Sequence, residues 1–173
     1  MNKLVIVING RGGVGKDALC SGVESVYRVS NISAITPIKE IASNYGWTGD
    51  KDNKSRRFLS QLKRVFSEYN DLPNNYLLEK YNEFLNDDRQ LLFVHIRESE
   101  QINHFISFIK IPCITLLIRR KEVDLLSQYG NESDDDVANY SYDYYFDNDL
   151  PYEESKEQFI AFIKKIWYDL YKE

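Results

Sequence analysis

Residues 4–17 read Leu4-Val5-Ile6-Val7-Ile8-Asn9-Gly10-Arg11-Gly12-Gly13-Val14-Gly15-Lys16-Asp17. The five aliphatic residues Leu4–Ile8 predict a strand covered on both faces, as in a parallel sheet. Four of the chain's eight glycines follow within Gly10–Gly15, and a helix is expected over Lys16–Arg28. The spacing G-x-x-x-x-G-K between a strand and a helix is that of a phosphate-binding loop. Glycines let successive backbone N–H groups converge on phosphate oxygens, and the following helix adds its positive N-terminal end. Lys16 is a flexible point charge suited to the β- and γ-phosphates. Gly10, Arg11, Gly12, Gly13, Val14, Gly15, Lys16 and Asp17 are therefore candidates for binding a nucleotide such as ATP. Asp17 breaks the pattern, because Ser or Thr is usual there. Its carboxylate is a candidate Mg2+ ligand that repels phosphate when no ion stands between them; otherwise it stabilises the helix start.

Outward from this stretch, strands alternate with helices. Apolar runs at Ile32–Thr36, Leu91–Ile96 and Cys113–Ile118 predict further strands, and Ser141–Phe146 a Tyr-rich fifth. Helices are expected from Pro37 to about Tyr45 and over Lys54–Tyr69, Asn75–Leu85, Ser99–Lys110 and Glu153–Tyr171. Residues Arg119–Tyr140 are polar and weakly patterned, and so long a loop in a compact domain is usually functional or mobile. The alternation predicts an α/β fold with a mostly parallel sheet and right-handed crossovers. Nothing marks a domain boundary, so residues 1–173 are expected to form one domain.

Composition narrows the function. The chain has 173 residues, 43% hydrophobic and 28% charged, and a net charge of −5. That acidity argues against a nucleic-acid polymer as partner, since neutralising a phosphate backbone takes a basic surface. The charge is uneven: residues 1–120 hold 17 Lys/Arg against 13 Asp/Glu, and residues 121–173 hold 5 against 14. The basic share peaks in Lys51–Arg64, with six bases and one acid, which suits either a small phosphorylated ligand or a solvated helix face. No apolar run approaches the ~20 residues a membrane helix needs. A cytoplasmic protein without membrane contact is expected. Cys20 and Cys113 form no disulfide framework and read as small buried residues.

Further candidates lie where open α/β sheets bind ligands, at the carboxyl edge. Arg97 follows the third predicted strand and can hold a phosphate bidentately. Arg119 and Arg120 follow the fourth, and phosphoryl transfer needs such positive charge on the migrating group. Lys54, Arg57 and Arg64 share one flank of their helix, with Arg56 and Lys63 on the next; of these, Lys54, Arg56 and Arg57 are candidates for an acceptor phosphate. Asn148 is a candidate for the adenine or for capping the turn before Pro151. His95 and His104 lack zinc-ligand spacing.

The ending Gly15-Lys16-Asp17 resembles the loop of a subset of phosphate-loop kinases in the nucleoside monophosphate kinase-like superfamily, notably phage-type deoxynucleoside monophosphate kinases and phosphomevalonate kinases of the animal type. Gly46-Trp47-Thr48-Gly49-Asp50-Lys51-Asp52, with Arg56 and Arg57, is similar to an early substrate segment of their relatives. His95-Ile96-Arg97-Glu98 resembles the third strand's end that delivers an Arg, and Tyr144–Asn148 the last strand. The resemblance implies a three-layer phosphate-loop NTPase fold with strand order 2-3-1-4-5. It also implies a helical substrate-binding insert over about 46–88 and a lid-like loop over about 119–140. The implied activity is transfer of the ATP γ-phosphoryl group, with Mg2+, to a small phosphorylated acceptor such as a (deoxy)nucleoside monophosphate. Lys16, Arg97, Arg119 and Arg120 would be the catalytic side chains. Phosphomevalonate is the alternative acceptor, and a nucleotide-binding regulator or slow NTPase the alternative outside transfer. One departure stands out: His95 occupies the strand end where a metal-organising Asp is sought.

Overall fold

Every residue of β1 (Leu4–Asn9) is buried, because this strand lies at the centre of a five-stranded sheet. The computed structural model describes residues 2–125 and 136–172. In it β1 is flanked by β3 (Leu91–His95) and β4 (Cys113–Arg119). Beyond them lie the edge strands β2 (Val29–Ser33) and β5 (Tyr144–Asp147). The order is β2-β3-β1-β4-β5 and every pairing is parallel, with Ile8 opposite His95 and Asn9 opposite Leu117. This is the expected order, with a sheet that is fully rather than mostly parallel.

Alternation along β1 divides the core between two faces. Leu4, Ile6 and Ile8 meet α1 (Lys16–Val23) and α7 (Tyr152–Tyr171) through Leu19, Val23, Phe159 and Ile163. Val5 and Val7 meet α4 (Leu72–Asn86) and α5 (Ser99–Ile106) through Leu77, Phe84, Ile102 and Phe105. Full burial of each such side chain is worth about 1.5–3 kcal/mol. A smaller cluster joins α2 (Thr36–Asn44) to α3 (Asn53–Asn70), with Ile38, Ala42 and Leu59 at its heart. The α3–α4 hairpin turns at Asp71, whose φ of +51° is tolerated by a short polar side chain. Asp71 also accepts from Asn74 and contacts His104 Nε2 at 3.1 Å.

Lys3 anchors the far end of that hairpin. Its ammonium donates to the carbonyls of Phe84 and of the C-cap Asp87 at 2.6 and 2.9 Å, satisfying carbonyls at the end of α4, and to that of Arg89 just beyond at 2.8 Å.

The edges depart from expectation. β2 begins at Val29, three residues before the apolar run, because Arg28 O already accepts from Gln90 N and Leu91 N. α1 stops at Val23, where Ser25 Oγ caps Gly22 O at 2.9 Å. β5 begins at Tyr144, so Tyr142 lies before it and is buried against the sheet. Of the expected loop 119–140, residues 126–135 lie outside the described residues; its flanks form α6 (Lys121–Leu125) and a short 3-10 helix, Asp136–Asn139. Among the described residues no helix is long and apolar enough to cross a membrane.

Candidate active site

The loop from Gly10 to Gly15 leaves the centre of the sheet at its carboxyl edge and enters α1 at Lys16. Gly10 is required where it stands: with φ +148°, a Cβ there would lie 2.5 Å from Ile118 O on β4. Gly15 caps α1 with φ +88°, and a Cβ there would meet Asn148 Nδ2 at 2.5 Å. The chain thus needs glycine at both ends of the loop. Asn148 holds the loop from behind. It is 7% exposed, its Nδ2 donates to Val14 O at 2.7 Å, and its own N–H donates to Arg119 O at 2.8 Å.

Lys16 folds over the loop, its ammonium donating to Gly10 O and, at 3.0 Å, to Arg11 O. Asp17 lies beside it with a side chain 97% exposed, and its Oδ1 is 3.8 Å from Nδ1 of His95 at the end of β3. His95 itself is largely enclosed. Burial pushes its imidazole down to about 4; Asp17 opposes that shift, while Lys16 and Arg97 reinforce it. The ring is neutral at pH 7. The site therefore presents two cations and one carboxylate around a neutral imidazole.

Arg97 is exposed just past β3, in electrostatic reach of both His95 and Lys63. The basic α3 helix divides on inspection. Lys54 and Arg57 face solvent, Arg56 is half-buried, and Arg64 is 3.9 Å from Glu68. Lys63 turns inward with Ser55 and Leu59, at i, i+4 and i+8 on the buried face. Its ammonium bonds Glu98 and, at 2.8 Å, Gln101 Oε1. Burial pushes the Lys63 amine down while Glu98 pulls it back up. Glu98 is thereby joined to α3.

Arg119 is the last residue of β4 rather than following it, and it differs from Arg120, the next residue. Arg119 pairs through two bonds with Asp147, its neighbour on β5, at 2.7 and 3.0 Å, and lies over the Tyr145 ring. Arg120 is half-buried, with Glu122 3.7 Å away. Both cysteine thiols are pushed up by burial; Cys20 is buried as expected, whereas Cys113 is half-buried at the start of β4.

Three residues shape this edge in ways the sequence does not show: Asn9, which had no assigned role, Lys63, grouped with the other bases of its helix, and Tyr142, placed inside the fifth strand. Asn9 had a signal, being the one polar residue between an aliphatic run and the glycine loop. Lys63 had a weaker one in its spacing from Ser55 and Leu59.

No family model and no curated protein matches the sequence. Solved structures do match its fold. The Deinococcus radiodurans tunicamycin resistance protein is 15% identical at a TM-score of 0.57, covering 94% of this chain and 96% of that one. Shikimate kinase from Aquifex aeolicus is 15% identical at 0.53, covering 93% and 96%. A sugar kinase from a Janibacter species is 12% identical at 0.54, covering 95% of each. The likeness is one of fold alone.

Proposed function

We propose that this chain is an ATP-dependent phosphotransferase, moving the γ-phosphoryl group to a small phosphorylated acceptor, foremost a (deoxy)nucleoside monophosphate. The observation that carries the reading is Lys16 held over a glycine loop at the sheet's carboxyl edge, with Arg97 past the neighbouring strand and near the same imidazole. Gly10–Lys16 binds the donor phosphates through backbone N–H groups and the start of α1. Arg97, with Lys54, Arg56 and Arg57 of the 46–88 insert, is assigned to the acceptor phosphate. Arg120 is the preferred cation for the migrating group, because Arg119 is joined to Asp147. Direct transfer needs no protein nucleophile, since an acceptor oxygen attacks the γ-phosphorus and ADP leaves, so rate comes from positioning and charge.

The residues fit a Mg2+ ion in one respect: Asp17 offers an exposed hard carboxylate beside the loop. Among the described residues no cluster of three or more His, Cys, Asp or Glu side chains could hold a metal, so the nucleotide's own oxygens would complete the coordination. Such an ion neutralises charge on the β- and γ-phosphates. The neutral His95 in place of a strand-end acid favours one rival, a regulator or slow NTPase.

ADP release from Mg2+·ATP, measured alone and with a panel of nucleoside monophosphates and phosphomevalonate, separates these readings. Acceleration by one nucleotide supports the proposal; acceleration by phosphomevalonate alone moves it to that acceptor. Slow release indifferent to every acceptor would leave the regulator. In any of these cases Lys16→Ala is expected to lose roughly 10²-fold in turnover, ~2.7 kcal/mol.

A further inference from the structure

One buried amide joins the loop to the corner that carries Arg97. Asn9 ends β1, is 1% exposed, and spends its side chain in three directions. Its Oδ1 accepts from Gly10 N at 2.8 Å, and its Nδ2 donates to Arg97 O at 3.0 Å and to Tyr142 Oη at 2.7 Å. The orientation of the amide is fixed by its partners. Gly10 N can only donate and Arg97 O can only accept, so a flip would oppose donor to donor and acceptor to acceptor. Tyr142, 5% exposed, passes its own proton to Val137 O at 3.0 Å. Next to Val137, Asp136 Oδ2 accepts from Ser99 N at 2.7 Å, two residues beyond Arg97. These bonds close a circuit of loop, Asn9, the 97–99 corner, the 136–137 segment and Tyr142.

Sheet pairing does not require this amide, since β1 is held by backbone bonds that any residue at its end would keep. What the amide supplies is a fixed separation between the first loop residue and the backbone of Arg97. A satisfied network in a low-dielectric interior has one arrangement and resists partial displacement. Phosphoryl transfer is sensitive to such spacing, because ångström-scale misplacement costs rate.

We propose that Asn9, with Tyr142, is a positioning residue that couples the donor loop to the Arg97 corner, so that filling the loop stiffens the corner. The inference rests on the donor and acceptor assignments above. Two variants test it. Asn9→Asp keeps the size and the acceptor for Gly10 N but turns a repelling oxygen toward Arg97 O. Tyr142→Phe removes only the hydroxyl, keeps the ring, and carries the test alone if Asn9→Asp does not fold.

The primary readout is hydrogen–deuterium exchange of residues 97–102 with and without Mg2+·ATP, beside ATP affinity by calorimetry. In the parent protein ATP is expected to slow exchange there by roughly fivefold or more. In both variants most of that protection is lost at saturating Mg2+·ATP, and in Tyr142→Phe, which adds no charge beside the loop, ATP affinity stays within about threefold. With the acceptor found by the panel, its KM rises about tenfold while KM for ATP holds, and Asn9→Asp adds nothing further in an Arg97→Ala background. An unresponsive corner in the parent protein would overturn the proposal. So would variants protected like the parent, or, in Tyr142→Phe, ATP affinity and corner protection lost by the same factor. Should no acceptor be phosphorylated while the exchange pattern is as described, the coupling stands and the transferase reading falls.

Discussion

Nδ1 of His95 lies 3.8 Å from Oδ1 of Asp17, so the two residues that depart from the common phosphate-loop pattern face each other. The strand end has an imidazole where an acid is usual, and the loop has an acid where a hydroxyl is usual.

The first prediction follows from the buried imidazole. Its value of about 4 lies below the 6.5 of an exposed histidine, so between those pH values the unfolded chain binds the extra proton. The contribution to stability is complete above pH 6.5 and is lost as pH falls toward 4, on the order of 3 kcal/mol in all. Urea denaturation of the parent and His95→Gln proteins across pH 4–7 measures it. The variant is expected to show the shallower decline; equal slopes would refute the assignment.

Asp17 carries the second. Two unit charges ~4 Å apart interact by about 4 kcal/mol at an effective dielectric of 20, so a carboxylate beside a triphosphate makes the ion decide the sign. ATP binding should depend steeply on Mg2+. Asp17→Asn should weaken that dependence and improve metal-free binding, and Asp17→Ser should do at least as well while keeping turnover within roughly tenfold. Calorimetry with and without Mg2+ gives the answer, and identical Mg2+ dependence in all three proteins would show that Asp17 serves only the helix.

A third concerns acceptor binding. Arg97→Ala should raise KM for the acceptor far more than KM for ATP, since one ligand alone loses a contact. Steady-state kinetics that leave both constants unchanged would make Arg97 structural.

The Lys63–Glu98 pair supplies a fourth, on stability. Lys63 is the more enclosed partner, with its side chain 11% exposed against 32% for Glu98. Removing the amine as Lys63→Met should cost about 1–3 kcal/mol, and adding Glu98→Gln should recover much of it by removing the unpaired charge. Denaturant titration decides; a double variant weaker than the single would mean the pair is not what holds α3 to the start of α5.

Gly15 supplies the fifth. Alanine there must adopt φ +88° and displace Asn148 Nδ2, a strain of about 1–3 kcal/mol applied directly to the loop. ATP affinity should fall roughly tenfold in Gly15→Ala and partly return when Asn148→Ala is added. No return would place the damage in the backbone alone.

The centre of the fold was legible because β1, β3 and β4 are largely buried on both faces and read as near-continuous apolar runs. The edges were not. Val29–Ser33 has one buried residue, Ile32, and its start is set by the Arg28 carbonyl rather than by apolarity. The loop was legible for a covalent reason, since its geometry needs glycine at fixed places. Lys63 was read as a surface base because charge alone does not reveal a partner 35 residues away. Asn9 and Tyr142 are 133 residues apart, and only the folded sheet edge brings amide and hydroxyl together.

The sheet order has a consequence for the nascent chain. The central strand emerges first, yet its two neighbours are residues 91–95 and 113–119. Leu4–Ile8 must therefore wait, apolar and unpaired, until more than eighty further residues have been synthesised. Contacts of such long sequence separation fold slowly and leave an aggregation-prone interval. The α3–α4 hairpin closes locally, and Lys3 can grip the end of α4 as soon as Arg89 is made. That early clasp would shelter the first strand beside the hairpin before its own partners exist.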